Sequence, residues 1–262
     1  MISAIKTNDE GIIIAANFTA CFGTIDTDIL LLKYDQDLQL QWDKKIITIN
    51  NQFVHEIIQN SSGNFVMLSS SVLDKWYIAV TEFSPTGDII WEKLLDTGDE
   101  YGSTTIIESI NQTYLLTGNW NPPRGLTNSN FSLTEVSSTG DLLEKKYFES
   151  IDKTEHGITV QQNPIDGNLA IIGSTPGSTN DLSPLMKFMK LDSSNEVLFQ
   201  RLLGGSSGVG HHIKASTLTN DNHILVSSFT NAFTGIFRNY RAQILKVDWE
   251  GNIIWRNLYQ HR

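Results

Sequence analysis

The amino-acid sequence predicts an all-β fold, a five-bladed β-propeller with four antiparallel strands in each blade. Three observations carry the prediction: one segment recurs five times, each copy divides into four short strand-like runs, and no stretch has helical periodicity.

The recurring segment reads Leu31-Leu32-Lys33-Tyr34-Asp35 and on to Trp42. It returns as Ala79 to Ser84 and on to Trp91, Leu133 to Ser137 and on to Glu144, Phe188 to Asp192 and on to Phe199, and Leu245 to Asp248 and on to Trp255. In every copy an apolar marker (Tyr34, Phe83, Val136, Leu191, Val247) precedes the last residue by eight positions and follows a charged residue (Lys33, Glu82, Glu135, Lys190, Lys246). Successive markers are 49, 53, 55 and 56 residues apart, too regular a series for coincidence.

The middle of each copy is a turn. Gly87, Gly140, Asn195 and Gly251 fall four residues after the marker, where a short hairpin needs a residue tolerant of positive φ. Blade one has Leu38 there, so its turn is expected to differ. The turn separates strand C (Asp28 to Tyr34 and equivalents) from strand D (Asp88 to Leu94 and equivalents), both rich in β-branched and aromatic residues. Strand B is the apolar run upstream: Gly11 to Ala15, Asn64 to Leu68, Thr113 to Leu116, Asn168 to Ile172 and His223 to Val226. A polar turn precedes it, and before that a weaker strand A centres on Ile5, Ile57, Ile107, Ile158 and Ile213. Nothing resembles a linker, so one domain over residues 1–262 is expected, with blades at about 1–50, 51–101, 102–152, 153–207 and 208–262.

The run from Asp248 to Trp255, of the form Asp-x-x-Gly-x-x-x-Trp, resembles the blade repeats of bacterial quinoprotein-like propellers. The broader phrase of strand, Lys-x-Asp, turn and Trp resembles the degenerate repeats of large secreted bacterial propeller proteins. Both likenesses concern the blade motif alone, though they cover nearly the whole chain. They imply that the Trp docks one blade against the next, as its apolar bulk suits it to do. Trp42, Trp91 and Trp255 keep it, Phe199 substitutes and Glu144 breaks the pattern. Trp42 and Trp255 are also expected to help blades one and five pack face to face. A sialidase-type Asp-box is excluded, because it places Trp three residues after Gly rather than four, and WD and kelch markers are missing.

Composition narrows the partners. The net charge is −10 and the 19 Lys and Arg never run longer than two, so nucleic acid is not an expected partner. Apolar runs such as Gly11 to Ala16 are far shorter than a membrane span, so no membrane insertion is expected. Cys21 is the sole cysteine, which rules out an internal disulfide. The N-terminal stretch, with Lys6, Asp9 and Glu10, does not read as a signal peptide, so the protein is expected to be cytoplasmic or to have lost a leader. A monomer without a cofactor is expected.

In a four-stranded meander the A–B and C–D turns share one end, and the B–C and D–A connections share the other. The second end carries the chemically richer loops, including Asn119 to Ser129, Thr175 to Pro184, Thr230 to Tyr240 and Asp96 to Ser103, and is the expected binding face. His55, His156 and His211 each stand two residues before the central Ile of strand A, with Ser3 and Thr105 in the matching places. If strand A is innermost, these side chains ring the mouth of a central channel, a setting for a metal or an anionic ligand. The plainer alternative is a polar position copied with the repeat, and no metal is expected from spacing alone. Trp120, Arg124, Arg238 and Tyr240 are the further candidate ligand contacts, being residue types that anchor binding sites.

Two functions fit. The first is a non-catalytic binding or scaffold propeller for a protein or glycan. The second is a glycan-processing hydrolase using carboxylates at the channel mouth, for which Asp99, Glu100, Asp152 and Glu155 are available. The chain has no Gly-rich phosphate loop and no Gly-x-Ser-x-Gly elbow.

Overall fold

The computed structural model describes residues 2–19, 27–47, 51–95, 100–120, 130–148, 155–176, 184–203, 211–230 and 241–259. Among them, twenty strands form five four-stranded sheets, each running in chain order. Blade one holds β1 (Ile2–Lys6), β2 (Ile12–Thr19), β3 (Thr27–Tyr34) and β4 (Leu40–Ile46). Blade two holds β5 (Gln52–Gln59), β6 (Phe65–Val72), β7 (Trp76–Phe83) and β8 (Ile89–Leu95). Blade three holds β9 (Glu100–Glu108), β10 (Tyr114–Trp120), β11 (Asn130–Val136) and β12 (Leu142–Phe148). Blade four holds β13 (His156–Gln162), β14 (Leu169–Pro176), β15 (Pro184–Leu191) and β16 (Val197–Leu203). Blade five holds β17 (His211–Leu218), β18 (Ile224–Thr230), β19 (Arg241–Val247) and β20 (Ile253–Tyr259). The chain is a five-bladed β-propeller, and every predicted repeat is one blade. It divides into two compact units, Met1–Leu116 with Thr134–Lys145 and Thr117–Leu133 with Lys146–Arg262.

Burial on both faces explains the continuous apolar reading of the inner strands. In the first unit, Phe65 and Met67 of β6 join Ile13, Ala15, Ile29 and Leu31 in one core. The alternate residues Val66 and Leu68 join Ile106, Tyr114 and Leu116 in another. In the second unit, Ala170, Ile172, Met186 and Phe188 meet Ile213, Ile224, Val226, Leu245 and Val247. Successive side chains of a strand point to opposite faces, so a sheet covered on both sides needs apolar residues at consecutive positions. Each such side chain contributes about 1.5–3 kcal/mol. Strand D is the sheet edge, with Ile89, Ile90, Leu142, Leu143, Val197 and Leu198 exposed at its start. Charged neighbours such as Lys93, Lys146 and Arg201 discourage pairing of that edge with another chain.

Ten turns close the A–B and C–D ends with one hydrogen-bond scheme, nine over five residues and that of blade four, Asn163 to Asn168, over six. In each, the first residue's N–H donates to the carbonyl of the last, and its own carbonyl accepts a bond from within the turn. The penultimate residue has positive φ: Glu10, Gly63, Gln112, Gly167 and Asn222 between strands A and B, and Leu38, Gly87, Gly140, Asn195 and Gly251 between C and D. These are all the positive-φ positions among the described residues. The expectation that blade one turns differently is therefore corrected. Leu38 adopts φ 59°, and its N–H reaches the Asp35 carbonyl at 3.1 Å as in the other blades. The Asp35 carboxylate holds the shape, accepting from the N–H groups of Asp37 and Gln39 at 3.0 and 2.8 Å. Ser84, Ser137, Asp192 and Asp248 cap their turns in the same way. The side-chain cap sets the turn, so a residue costly in the left-handed region is tolerated.

Strand D then grips the C–D turn of the following blade. The Trp42 indole donates to the Pro85 carbonyl at 3.1 Å and covers Gly87, where a Cβ would lie 2.9 Å from the ring. Lys44 reaches Asp88 at 3.1 Å beside it. Trp91 covers Gly140 likewise, with Lys93 on Asp141 at 2.9 Å. In the second unit the grip changes: Lys146 pairs with Glu196 at 2.7 Å, and Arg201 donates to Asn252 while Phe188, stacked on Phe199, covers Gly251. Trp42 thus docks its blade on the next one, as its place in the repeat implied.

Candidate ligand-binding site

Strand A is where the candidate site begins, and its register is set by the A–B turn. Counted back from the turn's first residue (Thr7, Asn60, Ser109, Asn163, Thr219), the fourth position holds Ser3, Glu56, Thr105, Thr159 and Ala215. Strand pairing agrees: Ser3 opposes Ala15, Glu56 Leu68, Thr159 Ile172 and Ala215 Ser227, each partner three residues into strand B. This row ties neighbouring A strands together. Ile57 N–H donates to Ser3 Oγ at 3.2 Å and Ile106 N–H to Glu56 Oε2 at 2.7 Å in the first unit. Thr159 and Ser216 share a hydroxyl bond at 2.7 Å in the second.

The three histidines do not share that row. His55, His156 and His211 stand five, seven and eight residues before their turns (60 − 55, 163 − 156, 219 − 211). Bulges in β5, β13 and β17 each insert one residue, and a single insertion changes the level and face of everything upstream. The His-x-Ile motif is therefore a likeness of sequence and not of position. His55 occupies the bulge of β5, where its Nε2 meets Ser70 Oγ at 2.5 Å and burial lowers its pKa to about 4. Burial lowers His156 as well. The strand backbone carries His211, but its side chain lies outside the described residues. Among the described residues no three His, Cys, Asp or Glu side chains gather as metal ligands.

Glu56 is the residue that sequence reasoning missed. Burial raises its pKa to about 7, although the Ile106 N–H and the Thr105 hydroxyl both favour its charged form. Its signal was an acid next to His55 in a strand with Phe53, Val54, Ile57 and Ile58 around them. Thr105, a predicted contact, is buried against it.

Glu155 stands directly before strand A of blade four and is 2% exposed. Its two oxygens accept from Lys187 Nζ at 2.8 and 2.7 Å, and the ammonium lies 5.3 Å from the centre of the Phe131 ring. A buried pair this complete is a structural element, since removing either partner would strand a charge. Of the other predicted residues, Asp99, Asp152, Arg124, Arg238 and Tyr240 lie outside the described residues, as do the side chains of Glu100 and Trp120.

Blade five answers the same positions differently. Lys187 lies four residues before its marker Leu191, and Gln243 lies four before Val247. Gln243 is 1% exposed, and neither its Oε1 nor its Nε2 has a hydrogen-bond partner. Ser228, directly opposite on β18, is also buried with an unpaired hydroxyl.

No protein-family model matches the chain, and no curated protein matches it in sequence. Solved structures share its fold. A Dyadobacter fermentans protein of unknown function is 12% identical, with a TM-score of 0.69 over 99% of this chain and 82% of that one. A candidate exo-β-1,3-galactanase from Bifidobacterium bifidum is 11% identical, with a TM-score of 0.56 over 99% and 92%. The α-L-arabinofuranosidase from Lactobacillus brevis is 13% identical, with a TM-score of 0.56 over 100% and 95%. At these identities the likeness establishes the propeller fold and leaves activity to the residues of each site.

Proposed function

We propose that the protein is a non-catalytic binding or scaffold propeller whose ligand, a glycan in the first instance or a protein, is held at the blade end that carries the B–C and D–A loops. The observation that carries this reading is the contrast between the two ends. At the turn end, ten turns repeat one hydrogen-bond scheme, and the C–D caps spend their oxygens on the turns themselves. At the loop end, the described polar residues differ from blade to blade, as Glu155 with Lys187 and Gln243 with Ser228 do. Variation on a rigid scaffold is how one fold acquires a specific ligand. Glu155, one of the four acids available for hydrolysis, is occupied by Lys187.

The sugar-acting names of two neighbours favour a second reading, hydrolysis through Asp99, Glu100 or Asp152. Incubation with β-1,3-galacto- and arabino-oligosaccharides, followed by both calorimetry and product analysis, separates the two. Saturable binding without product is expected. Sugar release that disappears in Asp99→Asn or Glu100→Gln would replace the binding reading with the hydrolase.

A further inference from the structure

Three residues of blade five with unpaired buried groups, Ser228, Arg241 and Gln243, fall on one sheet face. On the sheet face that meets blade four, Val226 and Leu245 belong to the shared core. Two residues further along each strand, on the same face, come Ser228 and Gln243, and two further again Thr230 and Arg241. Gln243 Oε1 and Nε2, Ser228 Oγ and Arg241 Nε are all buried without a hydrogen-bond partner. The facing row of blade four consists of His156, Ser174 and Met186, paired in sequence across its strands, with Leu203 beyond. Met186, Leu203 and Ile213 belong to the same core and give the site apolar walls.

The seam between blades three and four shows what this position costs when filled from within. There Lys187 meets Glu155 and lies over Phe131, so both charges are satisfied. Between blades four and five, Gln243 replaces the lysine and Met186 stands where Phe131 stood, five residues before the marker. Each buried polar group left unpaired costs about 1–3 kcal/mol, so a carboxamide, a hydroxyl and a guanidinium nitrogen side by side demand polar occupants. Reversing the carboxamide does not help, because both of its ends are unpaired.

We infer that the seam between blades four and five, at its loop-bearing end, is a subsite for a neutral hydroxyl-rich group, a sugar residue, bound by Gln243, Ser228 and Arg241. The inference rests on the glycan reading of the function and adds the place where the sugar is held. The chemistry selects the ligand. Gln243 offers an acceptor and a donor in one plane, and Ser228 adds a group that can do either. A carboxylate or phosphate would satisfy Arg241 and the amide N–H but face the Gln243 carbonyl oxygen unpaired. An ammonium would face the guanidinium. A hydroxyl both donates and accepts, as a carboxamide also does, and vicinal hydroxyls match the carboxamide's two ends while leaving acceptor lone pairs for Arg241. Water has the same capacity and is the competing occupant.

Thermal unfolding and calorimetry of the whole chain with D-galactose, L-arabinose and D-glucose test the subsite. At least one sugar is expected to raise the midpoint by a few degrees near saturation. Ser228→Ala should weaken its binding about tenfold, the loss of one hydrogen bond. Gln243→Leu, which removes both orphaned atoms, should abolish it. If sugar binding is the same in wild type and both variants, and Gln243→Leu is more stable than wild type, water alone fills the seam and the subsite is overturned while the glycan reading stands. If no sugar or oligosaccharide binds wild type at all, the glycan reading falls and this subsite falls with it. Should Gln243→Leu not fold, Ser228→Ala carries the comparison.

Discussion

At the scale of single residues, the most informative pair is His55 and Glu56, adjacent in sequence and opposite in their response to burial. Glu56 has a folded pKa of about 7 against an ordinary 4.5, so the native state keeps its proton longer than the unfolded chain. Its contribution to stability is full below pH 4.5 and is lost as pH rises to 7. His55 has a folded pKa of about 4 against 6.5, so the native state resists protonation and stability grows as pH rises from 4 to 6.5. Each effect is on the order of 3 kcal/mol, and between pH 4.5 and 6.5 they nearly cancel. Urea denaturation across this range should give a flat profile for wild type from these two groups. Glu56→Gln should leave stability rising with pH, and His55→Asn should leave it falling. Parallel profiles for all three proteins would show that neither group is perturbed as stated. Gln243 belongs to this scale too. It became conspicuous only when strand pairing put it opposite Ser228 with no partner for either.

At the scale of elements, the capped turn is the unit that repeats. Ser84, Ser137, Asp192 and Asp248 were legible as turn starters because a glycine or asparagine followed three residues later. Leu38 concealed the fifth copy, and only the backbone showed that Asp35 imposes the same path. A leucine in the left-handed region costs about 1–2 kcal/mol that glycine avoids, against glycine's own entropy loss of about 0.5–1 kcal/mol. Leu38 is 64% exposed, so little packing is lost with its side chain. Leu38→Gly should therefore leave the protein as stable as wild type or about 1 kcal/mol more so, measured by chemical denaturation. A clear loss of stability would mean that the side chain has a contact worth more than the strain it causes. The bulges of β5, β13 and β17 are the elements that sequence did not reveal. They carry no residue signature here, yet they decide which level each histidine occupies.

At the scale of the whole molecule, the described repeated turns lie at one end of the blades, and the proposed recognition face is the other end. The turn end is built from local bonds within each turn, reinforced by grips such as Trp91 on Gly140. The strands are held by cores that each join two blades. Changes confined to a B–C connection should then alter binding and spare the fold. Replacing residues 121–129 with a Gly/Ser linker of equal length is expected to shift the unfolding midpoint by no more than a few degrees while removing glycan or protein capture. A collapse of the midpoint would show that the segment supports the fold.

The sequence by itself determined the number of blades, the strand order within each and the two ends of the meander. Those features follow from periodic spacing and from apolar runs, which depend on neighbours along the chain. Tertiary structure alone decided that Glu155 is spent on Lys187, that Glu56 and not a histidine stands in the shared row of strand A, and that Gln243 is buried unpaired. Each of these depends on which side chain a neighbouring strand or blade presents. A one-residue bulge or a single substitution on the facing sheet changes that outcome without changing the repeat.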